Sequence, residues 1–177
     1  KTATMAGMRT IIHGDPKAAN IFVRDSTEES AGGVDIAWID FQWTGFGLAA
    51  TDVAHHISAA VRPEGLVGAD DEDLDGELLD HYYQVLSGAL VENGVAVSVE
   101  EVAESVYPRA TLHDQYETGL LDMARIVFSY QWTRVKASPA SLEAAASNQN
   151  KNSYNKSVKN ALWLVRRCDE LLKARES

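Results

Sequence analysis

Cysteine is almost absent from this sequence, with Cys168 the only example. One thiol excludes an internal disulfide framework and fits a reducing compartment. Long apolar runs are lacking too. No stretch approaches the roughly 18 consecutive apolar residues that a membrane span needs. No secretory pattern opens the chain. Positive charge is scarce: 16 Lys and Arg stand against 26 Asp and Glu, for a formal net charge of −10. That deficit argues against broad nucleic-acid binding, which needs a basic surface to displace counterions. It is compatible with a cationic small molecule, and equally with plain solubility. Together these absences lead us to expect a soluble, cytoplasmic protein with neither a membrane nor a nucleic acid as partner.

What is present suffices for one domain spanning residues 1–177. The hydrophobic fraction is 45%, enough for a substantial core. Ile11-Ile12 is a short apolar segment, and Ile21-Phe22-Val23 reads as a strand. The polar, glycine-bearing run 26–33 separates it from a second strand, Val34 to Ile39, which predicts a β-hairpin. Trp43 to Gly47 reads as a glycine-punctuated loop, and Ala49 to Val61 as a helix ended by Pro63. An acidic linker over 64–73 leads into a helix from Leu74 to about Asn93, whose dipole the acids complement. Ser98 with Glu101 forms a capping-box pattern for a further helix. Leu112, Tyr116, Leu120, Met123, Val127 and Tyr130 recur at helical spacing toward Arg134, with Pro108 a potential interruption. Residues 137–153 read as a loop. The last helix is predicted from Tyr154 to Arg175, with Val158, Leu162, Val165 and Leu172 as its buried stripe. The expected class is mostly α with a small β-hairpin, the helices of 74–175 forming a substrate-side subdomain.

The chemistry-bearing residues lie early. Ile11-Ile12 leads into His13-Gly14-Asp15-Pro16-Lys17-Ala18-Ala19-Asn20, and the second strand leads into Ile39-Asp40-Phe41. A loop leaving a strand presents carboxylates to a cleft while the strand fixes their position. Phosphoryl transfer needs a carboxylate near the attacking hydroxyl, oxygen ligands for magnesium, and a cation to offset charge on the transferred group. Asp15 supplies the first, Asn20 and Asp40 the second, Lys17 the third. The alternative for Asp15, Asp40 and Asn20 is that of turn residues bonding their own backbone. For Lys17 it is a solvated surface lysine. His55 and His56 are adjacent on a helix and point in different directions, which disfavours a shared metal. Trp43, Phe46, Tyr82, Tyr83, Trp132 and Trp163 are candidate pocket aromatics or, more plainly, core. Trp43 is the first choice, three residues beyond Asp40.

This order of parts resembles the catalytic loop and metal-binding aspartate of kinase-like folds. Gly14 stands in the middle of His13-Gly14-Asp15, as in the aminoglycoside phosphotransferase and choline kinase families. Ile39-Asp40-Phe41-Gln42-Trp43-Thr44-Gly45 is similar to the choline-kinase-type pattern and lacks the Asp-Phe-Gly triplet of protein kinases. Asp52-Val53-Ala54 looks like the aspartate that opens the next helix. The resemblance covers residues 9–56. It implies the C-terminal lobe of a protein-kinase-like fold and an ATP- and magnesium-dependent kinase for a small-molecule hydroxyl, on an amino alcohol, aminoglycoside or sugar-like compound. It also implies that His13 and Asp52 support the catalytic loop without touching substrate. Only twelve residues precede His13, with no glycine-rich hairpin or lysine strand. The N-terminal lobe is therefore expected in a longer parent chain. By itself this chain is expected to bind ATP poorly, to show little activity and to expose apolar surface. A non-catalytic binding module derived from a kinase and a metal-dependent phosphohydrolase using Asp15 and Asp40 are the competing functions.

Overall fold

A computed structural model describes residues 8–25, 33–68, 72–133, 138–147 and 158–176. The expected hairpin loop over 26–32, Asp70-Asp71 of the acidic linker, Arg134 and the start of the last helix at Tyr154 lie outside the described residues. The chain is mostly helical, with two small antiparallel sheets where the sequence indicates one hairpin.

The first sheet pairs β1 (Arg9–Ile12) with β4 (Gly45–Leu48), running from Arg9↔Leu48 to Ile12↔Gly45. The second pairs β2 (Ile21–Asp25) with β3 (Val34–Trp38), running from Ile21↔Trp38 to Asp25↔Val34. Strand β4 stands where the sequence indicates a loop. Its glycines hide the strand signal; a Cβ at Gly47 would lie 2.5 Å from Ile12 Cδ1, so the Ile12 side chain uses the space that glycine leaves. The two ladders have a topological consequence. The chain crosses from one to the other twice, at 13–20 and at 39–44. Both crossings start and end at the same two paired positions, so the two loops must lie against each other.

Helix α1 (Ala49–Ala60) follows β4 directly. The Thr51 hydroxyl donates to the Leu48 carbonyl at 2.7 Å, and Asp52 in the first turn favours the dipole. It buries Ala50, Ala54 and Ile57 against α4 (Arg109–Ile126), described below. Close approach rests on small side chains. A Cβ on Gly119 would sit 3.1 Å from the Ala54 Cβ. Helix α2 (Asp75–Glu92) ends at Asn93, with Gly94 at φ +71. The short α3 (Val99–Glu101) starts with the expected cap: Ser98 Oγ accepts from the Glu101 N–H at 3.3 Å. It widens into a π turn at Val102–Val106, and Pro108 opens α4.

Leu112, Tyr116 and Leu120 are buried on one face of α4, and Val127 continues that stripe. The prediction fails at Tyr130, which is 54% exposed. A second π turn over Val127–Trp132 carries more residues per turn and rotates Tyr130 off the stripe. The Ala- and Ser-rich stretch expected to be a loop contains helix α5 (Pro139–Ser147), as proline at a first turn and alanine's high propensity allow. The last helix, α6 (Val158–Glu176), buries Ala161, Leu164, Cys168 and Leu171. Leu162 is 64% exposed, and Val165 and Leu172 face outward with it. Polar anchors set this rotation. Asn160 Nδ2 donates to the Val61 carbonyl at 3.2 Å, and Arg167 Nε to the buried Asp75 Oδ2 at 2.9 Å. Among the described residues, no helix is long and apolar enough to cross a membrane.

Candidate active site

The loop from His13 to Asn20 is held by hydrogen bonds along its length. Asp52 Oδ2 accepts from the His13 N–H at 2.6 Å, and Oδ1 from the Gly14 N–H at 3.0 Å. Gly14 has φ +83, a conformation costly for other residues, and a Cβ there would lie 2.3 Å from the Trp43 carbonyl oxygen. The glycine thus lets the first loop touch the second. Asp15 and Asn20 are 6% and 4% exposed. Asn20 Nδ2 donates to the Asp15 carbonyl at 2.9 Å and to Asp15 Oδ2 at 3.2 Å. Lys17 Nζ pairs with the same Oδ2.

Asp40 is placed through its neighbour. The Ile39 N–H donates to the Asn20 carbonyl at 3.0 Å. His13 Nδ1 accepts from the Asp15 N–H at 3.2 Å, so the ring proton sits on Nε2 and is donated to the Ile39 carbonyl at 2.9 Å. Ile39 is therefore bonded to the 13–20 loop on both its polar groups, and Asp40 follows at once. Asp40 is exposed and left-handed, at φ 64 and ψ 59. That is uncommon outside glycine and concentrated at functional sites. With the Asn20 amide nitrogen turned to Asp15, its oxygen is the atom suited to a cation. An amide oxygen and a carboxylate are hard donors of the kind magnesium takes alongside phosphate oxygens. Among the described residues no three His, Cys, Asp or Glu side chains cluster as a metal set. A cation completed by phosphates needs no such cluster.

The structure therefore joins Asp15, Lys17 and Asn20 directly, with His13 and Asp52 bracing their backbone, and brings the Asp40 loop alongside. Trp43 is 66% exposed; its backbone and Cβ, not its indole, meet Gly14. Of the other aromatics, Trp163 is core and Trp132 packs against Phe128 with the rings tilted by 48° and their centroids 4.8 Å apart. Phe46 is exposed, and the Tyr83 hydroxyl donates to the Tyr107 carbonyl at 2.9 Å. Tyr82 lines an open groove of about 950 Å³ behind the loop, together with Ile12, Val53, Ile57, Leu78 and Tyr107. Burial, and then the Asp52 charge, raise the Tyr82 phenol above its ordinary value. Burial, and then the neighbouring Tyr82 and Tyr83, push Tyr107 up to about 12.

Two residues that the sequence weighs only as an unfavourable metal pair also meet the loop. His56 Nδ1 donates to the Pro16 carbonyl at 3.1 Å. His55 is buried with its Nε2 3.6 Å from Asp15 Oδ1. Burial lowers the His55 pKa, against the opposing pull of Asp15 and then Asp52. Adjacent histidines do diverge on a helix, but here both land on successive residues of one loop. Their spacing from Asp52 was the available signal.

Two facing loops, one carrying a buried carboxylate and amide and the other a carboxylate, define a kinase-like class of protein. The model of the ecdysteroid kinase-like family matches residues 2–94, more than half of this 177-residue chain. The chain belongs to that family, which lies in the protein-kinase-like superfamily, and membership gives it a kinase-like, small-molecule phosphotransferase type. It matches no curated protein and no solved structure.

Proposed function

We propose that this chain is the catalytic lobe of an ATP- and magnesium-dependent phosphotransferase acting on a hydroxyl of a small molecule. The double bonding of Ile39 to the 13–20 loop carries this proposal, because it supports bringing the segment that bears Asp40 toward the loop of Asp15 and Asn20. Asp15 accepts the proton of the attacking hydroxyl and orients it. Asn20 and Asp40 are the residues that would hold magnesium, which when bound offsets charge on the ATP phosphates. Lys17 pairs with Asp15 and is within a side chain's reach of a terminal phosphate beside it. His13 and Asp52 keep the loop in shape.

The aminoglycoside phosphotransferase and choline kinase families remain the finer analogy, supported by Gly14 and by the aromatic pattern after Asp40. They suggest an amino alcohol, aminoglycoside or sugar-like acceptor, and the exposed Trp43 indole is available to a cationic group. The family's own name adds ecdysteroids to the candidates. An ATP-gripping lobe on the parent chain is part of the proposal, supported by the exposed Ile11, Phe41 and Phe46 around the site. The cytoplasm, with its ATP, is the proposed location.

The test supplies the parent protein with magnesium-ATP and a panel of amino alcohols, aminoglycosides, sugars and ecdysteroids, and follows transfer of phosphate. One class is expected to turn over, with Asp15→Asn slowing it by about 10²-fold or more. Magnesium-ATP binding without transfer to any of them would overturn the proposal.

A further inference from the structure

One turn of α1 contacts four successive residues of the catalytic loop. Asp52 takes the backbone N–H groups of His13 and Gly14. His56 donates to the carbonyl of Pro16. Between them, His55 faces the side chain of Asp15. The first and last of these contacts hold backbone; the middle one falls on the carboxylate itself.

We propose that His55 is a positioning residue that fixes the Asp15 carboxylate from behind. This inference rests on the phosphotransferase reading of Asp15. The two oxygens of Asp15 have different surroundings. Oδ2 carries Lys17 and Asn20, while Oδ1 lies 3.6 Å from His55 Nε2. That separation is ion-pair range and longer than a full hydrogen bond, so the contact is one of orientation and electrostatics. Both side chains are within a tenth of full burial, at 10% and 8% exposure, so bulk water cannot take over the role.

The kind of group matters. A lysine or arginine at this position would add a second full charge to Asp15 and weaken it as a base. A buried imidazole stays neutral and offers an N–H dipole, which orients the carboxylate while leaving its basicity. The charged and titratable groups facing His55 are Asp15 and Asp52, which favour its protonated form, and Lys17 and His56, which oppose it. Burial outweighs them all.

The first arm of the test needs no activity. Nitrogen-15 NMR follows the imidazole of His55 through a pH titration in the folded chain, in wild type, Asp15→Asn and Lys17→Met. Removing the carboxylate is expected to lower the His55 midpoint by on the order of one pH unit, and removing the lysine to raise it. An unchanged midpoint in both variants, with amide spectra showing an intact fold, would refute the contact. The second arm uses the acceptor found for the parent protein. His55→Phe is expected to lower kcat by about 10- to 100-fold with KM for ATP unchanged, and His55→Gln, which keeps a donor, to recover most of it. Equal losses in both variants, or a change confined to KM, would also refute it. If no acceptor turns over, the phosphotransferase reading fails while the NMR arm still decides the contact.

Discussion

At the residue scale, the strained backbone of Asp40 separates function from stability. A left-handed conformation costs a non-glycine residue about 1–2 kcal/mol, which glycine avoids. Asp40→Gly is therefore expected to leave the melting temperature unchanged or raise it by about 2–4 °C, while abolishing phosphate transfer by the parent. A clear drop in melting temperature would show that the Asp40 side chain holds the fold. His55 gives a pH signature. Its folded pKa lies below the unfolded value of 6.5, so as pH falls through that range the native state takes up fewer protons than the unfolded chain. Stability should decline below about pH 6.5, by at most about 1.4 kcal/mol per pH unit, until the native imidazole also protonates. Urea melts at neutral and acid pH would show it, and His55→Gln should flatten the dependence. The grouping of Asp15, Lys17 and Asn20 was legible in the sequence because all three share one short loop, where Lys17 and Asn20 both contact Asp15. His55 and His56 were not, because their role depends on where a helix lies against a loop 40 residues away in sequence, as the bond from His56 to Pro16 shows.

At the scale of elements, α6 shows what periodicity leaves open. Its sequence contains two interleaved aliphatic stripes, and hydrophobicity alone cannot choose between them. Asn160 and Arg167 choose, through bonds to Val61 and Asp75. Arg167 is worth keeping in this sense: Asp75 is 2% exposed and also accepts from the Tyr116 hydroxyl at 3.1 Å. Leu164→Ala is expected to cost about 2–5 kcal/mol and Leu162→Ala less than about 0.5 kcal/mol, measured by denaturant unfolding. Equal costs would place the helix in the other rotation. Strand β4 was hidden for a different reason. Its glycines are strand-poor by propensity, and the Ile12 side chain fills the space beside Gly47. The β2–β3 hairpin was readable because its alternation and polar loop are local features.

At the scale of the whole molecule, the site follows from connectivity. Two short ladders share two crossings, and these crossings carry Asp15, Lys17, Asn20 and Asp40, with Asp52 and His55 reaching the first from α1. The helices add a platform: α1 fixes the catalytic loop, and α4 fixes α1 through Ala50, Ala54 and Gly119. This also explains why a small part of the chain carries most of the functional signal. The family model matches residues 2–94, and beyond them the described helices are fixed by packing, which many sequences satisfy equally well. Manganese, a paramagnetic substitute for magnesium, gives the most direct measurement. It is titrated with ATP into the nitrogen-15-labelled chain, and the broadening of each amide signal is recorded. Signals of residues 13–20 and 39–44 are predicted to broaden first and together, and to stop doing so in Asp40→Asn. Broadening centred on the acids of 72–80, with both loops untouched, would contradict a cation site between Asn20 and Asp40.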